Sequence, residues 1–137
     1  MLKIILLLAP FLLLSTVYAA DLYKEYKYSV KGYDGGIELS TVPACTVNNQ
    51  LGCISLPPVI KIHIDTVHVS SLHMCLFEGT ESSAARIDDG KKLETLFRDG
   101  DNVVTVVFSG KKAIVDASKA EGLCGLNGNM SGKYIAR

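Results

Sequence analysis

Along most of this chain, apolar residues recur at every second position rather than every third or fourth. In "YKYSVKGY", Tyr26, Tyr28 and Val30 alternate with Lys27, Ser29 and Lys31, the period of a strand with one buried face. "GIELSTV" predicts a second strand that stops before Pro43. In "VIKIHIDTVHV" the residues Ile60, Ile62 and Ile64 alternate with Lys61, His63 and Asp65, and then the phase slips onto Val67 and Val69. Such a slip predicts either a β-bulge near Thr66 or a strand whose second half is covered on its other face.

Further short strands follow. "HMCLFEG" ends at Gly79, "LETLF" lies between Asp89-Gly90 and Asp99-Gly100, and "VVTVVF" runs to Ser109-Gly110. "KAIVD" precedes a loop in which "DASKAEGL" has room for one helical turn, and "GKYIA" forms the last strand. Asp-Gly and Ser-Gly are favoured hairpin dipeptides because glycine accepts positive φ. Regularly spaced short strands separated by such turns predict an all-β fold, an antiparallel β-sandwich or small barrel, as a single domain over residues 20–137.

The first residues follow a different rule. Lys3 precedes the apolar run Ile4–Leu14, and Val17 and Ala19 occupy the −3 and −1 positions of a signal-peptidase site, so residues 1–19 read as a cleaved export signal. The run is shorter than the roughly 20 apolar residues that span a bilayer. No cysteine stands at the new N-terminus to carry a lipid, so no membrane anchor is expected. The signal looks bacterial, which places the mature protein in the periplasm or outside the cell.

Charge narrows the partners. The 137 residues hold 14 basic and 14 acidic side chains, a balance with no footprint for nucleic acid or for a polybasic membrane contact. The pairs Lys91-Lys92 and Lys111-Lys112 sit beside turn residues and read as solvated hairpin tips. The chain has 4 cysteines, Cys45, Cys53, Cys75 and Cys124. An even number in an exported chain predicts two disulfides with three possible pairings. Cys45 and Cys53 flank the polar segment "TVNNQLG", where a local bridge forms easily, and Cys75 with Cys124 would then close about 50 residues.

Candidate chemistry is sparse. His63, His68 and His73 form no converging ligand set, and the cysteine spacings lack a C-x-x-C pair, so no metal is expected. No G-x-S-x-G elbow is present, oxidised cysteines are not nucleophiles, and "RDGDN" fits a hairpin turn better than a calcium loop. No cofactor and no enzymatic activity are expected. Tyr23, Tyr26, Tyr28 and Tyr33 crowd the mature N-terminus, either as an interaction surface or as core and boundary packing, the latter favoured. "NMS" at Asn129–Ser131 matches a glycosylation sequon, incidental in a bacterial chain.

From His73 onward, "HMCLFEG", the pair Cys124-Gly125 and the final Gly132-Lys133-Tyr134 resemble a pattern of small exported bacterial β-proteins, some of them lysozyme-inhibitor-like. The likeness covers residues 73–135. Ser131-Gly132-Lys133-Tyr134 is similar to, and one residue shorter than, the S-G-x-x-Y loop that periplasmic lysozyme inhibitors insert into the enzyme cleft. The resemblance implies a non-catalytic protein-binding module whose contact loop is Asn127 to Lys133. There the Ser131 hydroxyl and the Lys133 ammonium would face the two carboxyl groups of a glycosidase, with Asn127 and Asn129 beside them. The expected partner is a protein, either a lysozyme-like hydrolase or, for an immunity protein, a delivered toxin. An envelope assembly factor using the Tyr-rich strand, and a small-ligand carrier, are the other classes.

Overall fold

The computed structural model describes residues 22–48 and 52–137, with side chains of residues 43–57 outside that description. The strands are β1 (Glu25–Tyr28), β2 (Tyr33–Asn48), β3 (Gly52–His68), β4 (Met74–Ile87), β5 (Lys92–Asp99), β6 (Asn102–Ser109), β7 (Lys112–Lys119) and β8 (Gly132–Ala136). Each pairs antiparallel with the next, and β8 pairs back onto β1, so the sheet closes into a barrel. Of the two all-β alternatives, the barrel is the one formed. Closure leaves β1 paired on both sides, with no free edge to offer a partner.

Alternation fills the barrel. Tyr26 and Tyr28 point inward from β1, Ile60, Ile62 and Ile64 from β3, Phe77 from β4, Leu93 and Phe97 from β5, and Tyr134 from β8. Lys27, Lys61, Glu78 and Glu94 point outward between them. An apolar inside and charged outside is the reverse of a barrel that faces lipid. Among the described residues no helix is long and apolar enough to cross a membrane.

Five strands differ from the reading of the sequence: β1 stops at Tyr28 and does not include Val30, β7 runs past "KAIVD" to Lys119, and the other three are β2, β3 and β4. β2 does not stop at Pro43 but runs to Asn48, and β4 does not stop at Gly79 but continues to Ile87. Proline has no N–H for the ladder, and the register shifts where the prolines lie: Val42 pairs with Val59, but Ala44 pairs with Leu56. The hairpin thus passes its prolines by slipping register rather than by ending. β4 passes Ser82 in the same way, with a shift between Glu81 and Ser83. β3 carries no bulge at Thr66, since its register with both neighbours is continuous there. Thr66 keeps the inward phase and is buried, whereas Val69 is 56% exposed. The valines that suggested a slip are simply on the outside.

The turns follow their dipeptides. Gly100 and Gly110, each the first residue of a two-residue hairpin loop, have φ of 58° and 56°, as a primed turn requires. Lys91-Lys92 and Lys111-Lys112 lie at hairpin tips, where Lys92 pairs with Asp88 at 3.3 Å. Of "DASKAEGL", read as loop, the first four residues belong to β7, and a single 3-10 turn, Glu121–Leu123, follows.

Candidate functional site

Between β7 and β8 the chain makes a loop over one end of the barrel, and hydroxyls from the barrel wall hold it there. Tyr28 donates to the Ser131 carbonyl at 2.6 Å, Tyr33 to Asn127 at 2.8 Å, Thr66 to Asn129 at 2.7 Å and Tyr134 to Met130 at 2.7 Å. Met130 plugs the opening and is 1% exposed. A disulfide between Cys75 and Cys124, 49 residues apart, pins the start of the loop to β4. Backbone bonding continues that join, with the Gly125 amide donating to the Met74 carbonyl at 3.1 Å. Cys45 and Cys53, the other expected bridge, have side chains outside the described residues.

Burial raises the pKa values of two of these hydroxyls, those of Tyr28 and Tyr134. Tyr28 is pushed up to about 12, chiefly by desolvation and secondarily by nearby Tyr33. Tyr134 is raised further, for the same first reason and then by Tyr28. Tyr28 and Tyr134 therefore remain protonated donors at any ordinary pH, which suits clasps for a loop.

The expected contact residues separate into two groups. Asn129 and Ser131 are bonded to each other and to the barrel: the Ser131 amide donates to Asn129 Oδ1 at 2.9 Å, and Asn129 Nδ2 returns a bond to the Ser131 carbonyl. Ser131 Oγ accepts the Ala117 amide at 2.9 Å. These side chains shape the loop. Asn127 is exposed at the loop tip with φ of 72°. Lys133 is exposed too, but it points outward from β8, opposite Ile114, while Tyr134 points inward. Asn127 and Lys133 are thus separated from Ser131 by the way the loop and strand are built. A shallow cavity of about 210 Å³ lies over Ser131, Asn129, Gly125, Gly128 and Glu121.

Beside the loop tip is a feature that alternation alone did not disclose. Leu72, Met74, Leu76 and Leu126 are 73%, 60%, 51% and 79% exposed. Leu72 lies in the β3–β4 turn, and Leu126 follows Gly125, which packs on His73 and bonds the Met74 carbonyl. The turn is well ordered by its own bonds. His68 and His73 share a backbone bond of 2.9 Å, Leu72 donates to the His68 carbonyl, and Ser71 Oγ lies 2.7 Å from His68 Nδ1. Leu72 nevertheless takes φ of 60°, a conformation unfavourable for a residue with a branched side chain. "SSLHM" offered one sign of this, a leucine in a polar turn.

Among the described residues no group of histidine, cysteine, aspartate or glutamate side chains is arranged to hold a metal ion. The chain matches no family model, no curated protein sequence and no solved structure. The likeness to lysozyme inhibitors therefore stands on the short motif alone.

Proposed function

We propose that this chain is an exported, non-catalytic protein-binding module, with a peptidoglycan-cleaving enzyme of the lysozyme type as the first partner to test. The observation that carries the reading is the rim formed by Leu72, Met74 and Leu126, exposed beside a disulfide-tethered loop. Contiguous exposed apolar surface on a small protein marks an interaction site. A rim fixed by a covalent bridge and by hydroxyl clasps loses little entropy on binding.

Two other readings are less well supported. A carrier needs a cavity, and the barrel is filled by Tyr26, Tyr28, Phe77, Phe97 and Tyr134. An assembly factor built on a free Tyr-rich strand needs an edge, and β1 is paired on both sides. For an inhibitor, contact falls on Leu126 and Asn127 at the tip, with Ser131 holding the loop rather than reaching the partner.

The test is protection of cell walls from c-type, g-type and i-type lysozymes by the oxidised mature protein. Protection should fall at least tenfold in Leu126→Ser and Leu72→Ser, with thermal unfolding unchanged. Ser131→Ala should lower stability and affect protection only through it. No protection at saturating protein removes this class of partner.

A further inference from the structure

The outer face of β2, β3 and β4 is organised by register into rows that cross the strands. Asp34, Val67 and Met74 form one row, Gly36, Asp65 and Leu76 the next, and Glu38, His63 and Glu78 the third. Met74 and Leu76 make an apolar strip on the β4 side, continuous with the rim. On the β2 side the centre of the array is Gly36, and nothing larger fits there. A Cβ on Gly36 would drive into the carbonyl oxygen of Tyr26. Beside it lies a notch of about 280 Å³, lined by Glu25, Asp34, Glu38 and Asp65 and by the single basic residue Arg137.

The charges facing this notch are unbalanced. Lys27 lies opposite Gly36 on β1, Arg137 follows β8, and Lys61 stands one row beyond Glu38. Against them are Glu25, Asp34, Glu38, Asp65 and Glu78, of which Glu78 pairs with His63 at 3.0 Å. Glu25 and Glu38 are direct cross-strand partners. Like charges placed directly opposite each other destabilise a sheet, and a cation lying between them would relieve the repulsion.

Charge therefore selects the occupant of the apolar strip. An anionic lipid surface and a nucleic acid would be repelled by the carboxylates, and a second copy of this face would set carboxylate against carboxylate. We infer that the β2–β3–β4 face docks a basic protein segment, which seats a lysine or arginine side chain over Gly36 and apolar side chains on Met74 and Leu76. This rests on the protein-binding reading above and adds the partner's chemistry.

The test is a titration of isotope-labelled, oxidised protein with a synthetic leucine–lysine peptide, followed by amide shifts. A leucine–glutamate peptide of the same length serves as the comparison. Saturable shifts should appear at residues 34–38, 63–67 and 74–78 with the first peptide only, and weaken as salt rises. Affinity should fall at least tenfold in Asp34→Asn/Asp65→Asn and in Leu76→Ser. Asp34→Asn keeps the oxygen that accepts the Gly35 amide at 2.9 Å, so the fold should not change. Asp99→Asn/Asp101→Asn removes the same charge at a distant hairpin tip and should leave affinity unchanged.

No saturable shift at these rows overturns the inference, as does an equal loss in the distant variant. Equal binding of the leucine–glutamate peptide at the same rows overturns the basic partner while keeping the module. Shifts confined to Leu72 and Leu126 overturn this face and also keep the module. Self-association on the same rows, seen by sedimentation, overturns it in favour of a second copy.

Discussion

Tyr28 stacks on Tyr134 inside the barrel, with ring centroids 4.5 Å apart, at the seam where β8 returns to β1. Their hydroxyls end on the neighbouring carbonyls of Ser131 and Met130. One pair of rings therefore both closes the sheet and ties down the loop over its end.

That arrangement gives a pH dependence with a definite sign. Both folded pKa values lie above the unfolded value of 10.0. As pH rises past 10 the unfolded chain loses these protons first, the native state binds more of them, and stability falls with pH. Urea unfolding should show stability level with respect to these groups below about pH 10. A decline should run from there through about 12, the folded value for Tyr28. Tyr28→Phe should make that decline shallower, and at neutral pH should cost about 1 kcal/mol, the net worth of one hydrogen bond.

How much of this was legible is best judged from the tyrosines. Period-two alternation correctly placed Tyr26 and Tyr28 inward, because the pleat leaves no other choice. It could not show that Tyr28, Tyr33 and Thr66 reach a loop more than sixty residues later, since such bonds depend on closure of the barrel. Cys124 was legible as one end of a long bridge to Cys75, and "GKYIA" as the last strand. Ser131 and Asn129 were less so, because a motif of small polar residues looks the same whether it meets a partner or its own barrel. The strand ends at Pro43 and Gly79 were misjudged for one reason: a long hairpin can shift register and continue, and local sequence marks the break but not the recovery.

Thr66 tests the clasp from the other side of the barrel. Its buried hydroxyl donates to the Asn129 carbonyl at 2.7 Å. Thr66→Val keeps the shape and removes the donor, leaving that carbonyl without this partner. The expected cost is roughly 1–2 kcal/mol. Hydrogen exchange should speed up at residues 127–131 more than in β5 or β6. Uniform acceleration across the barrel would instead mean that the loop does not open separately from the fold.

The Cys75–Cys124 bridge should be a large single contributor. Closing a loop of 49 residues is worth about 4 kcal/mol in the chain-entropy account, to be measured as the difference in urea unfolding between the oxidised protein and Cys75→Ala/Cys124→Ala. Gly128 gives an independent check. A Cβ there would lie 2.8 Å from both Cys75 Sγ and Cys124 Cβ, so Gly128→Ala should destabilise the oxidised protein. The same change should cost less in the double-alanine background, where the sulfur is gone, and the cycle isolates the contact.

Leu72 separates stability from function. It is 73% exposed, so its side chain contributes little to the core, yet its backbone has φ of 60°. Holding a non-glycine residue there costs about 1–2 kcal/mol, partly offset in any glycine variant by the larger entropy of the unfolded glycine. Leu72→Gly should therefore raise stability by roughly 0.5–1 kcal/mol while retaining the bond from residue 72 to the His68 carbonyl. If the rim binds a protein, the same variant should bind it less well, because the most projecting apolar contact of the β3–β4 turn is gone. Opposite signs in unfolding and binding would show that strain is kept for contact. A variant that loses stability and leaves binding unchanged would assign Leu72 to the fold alone.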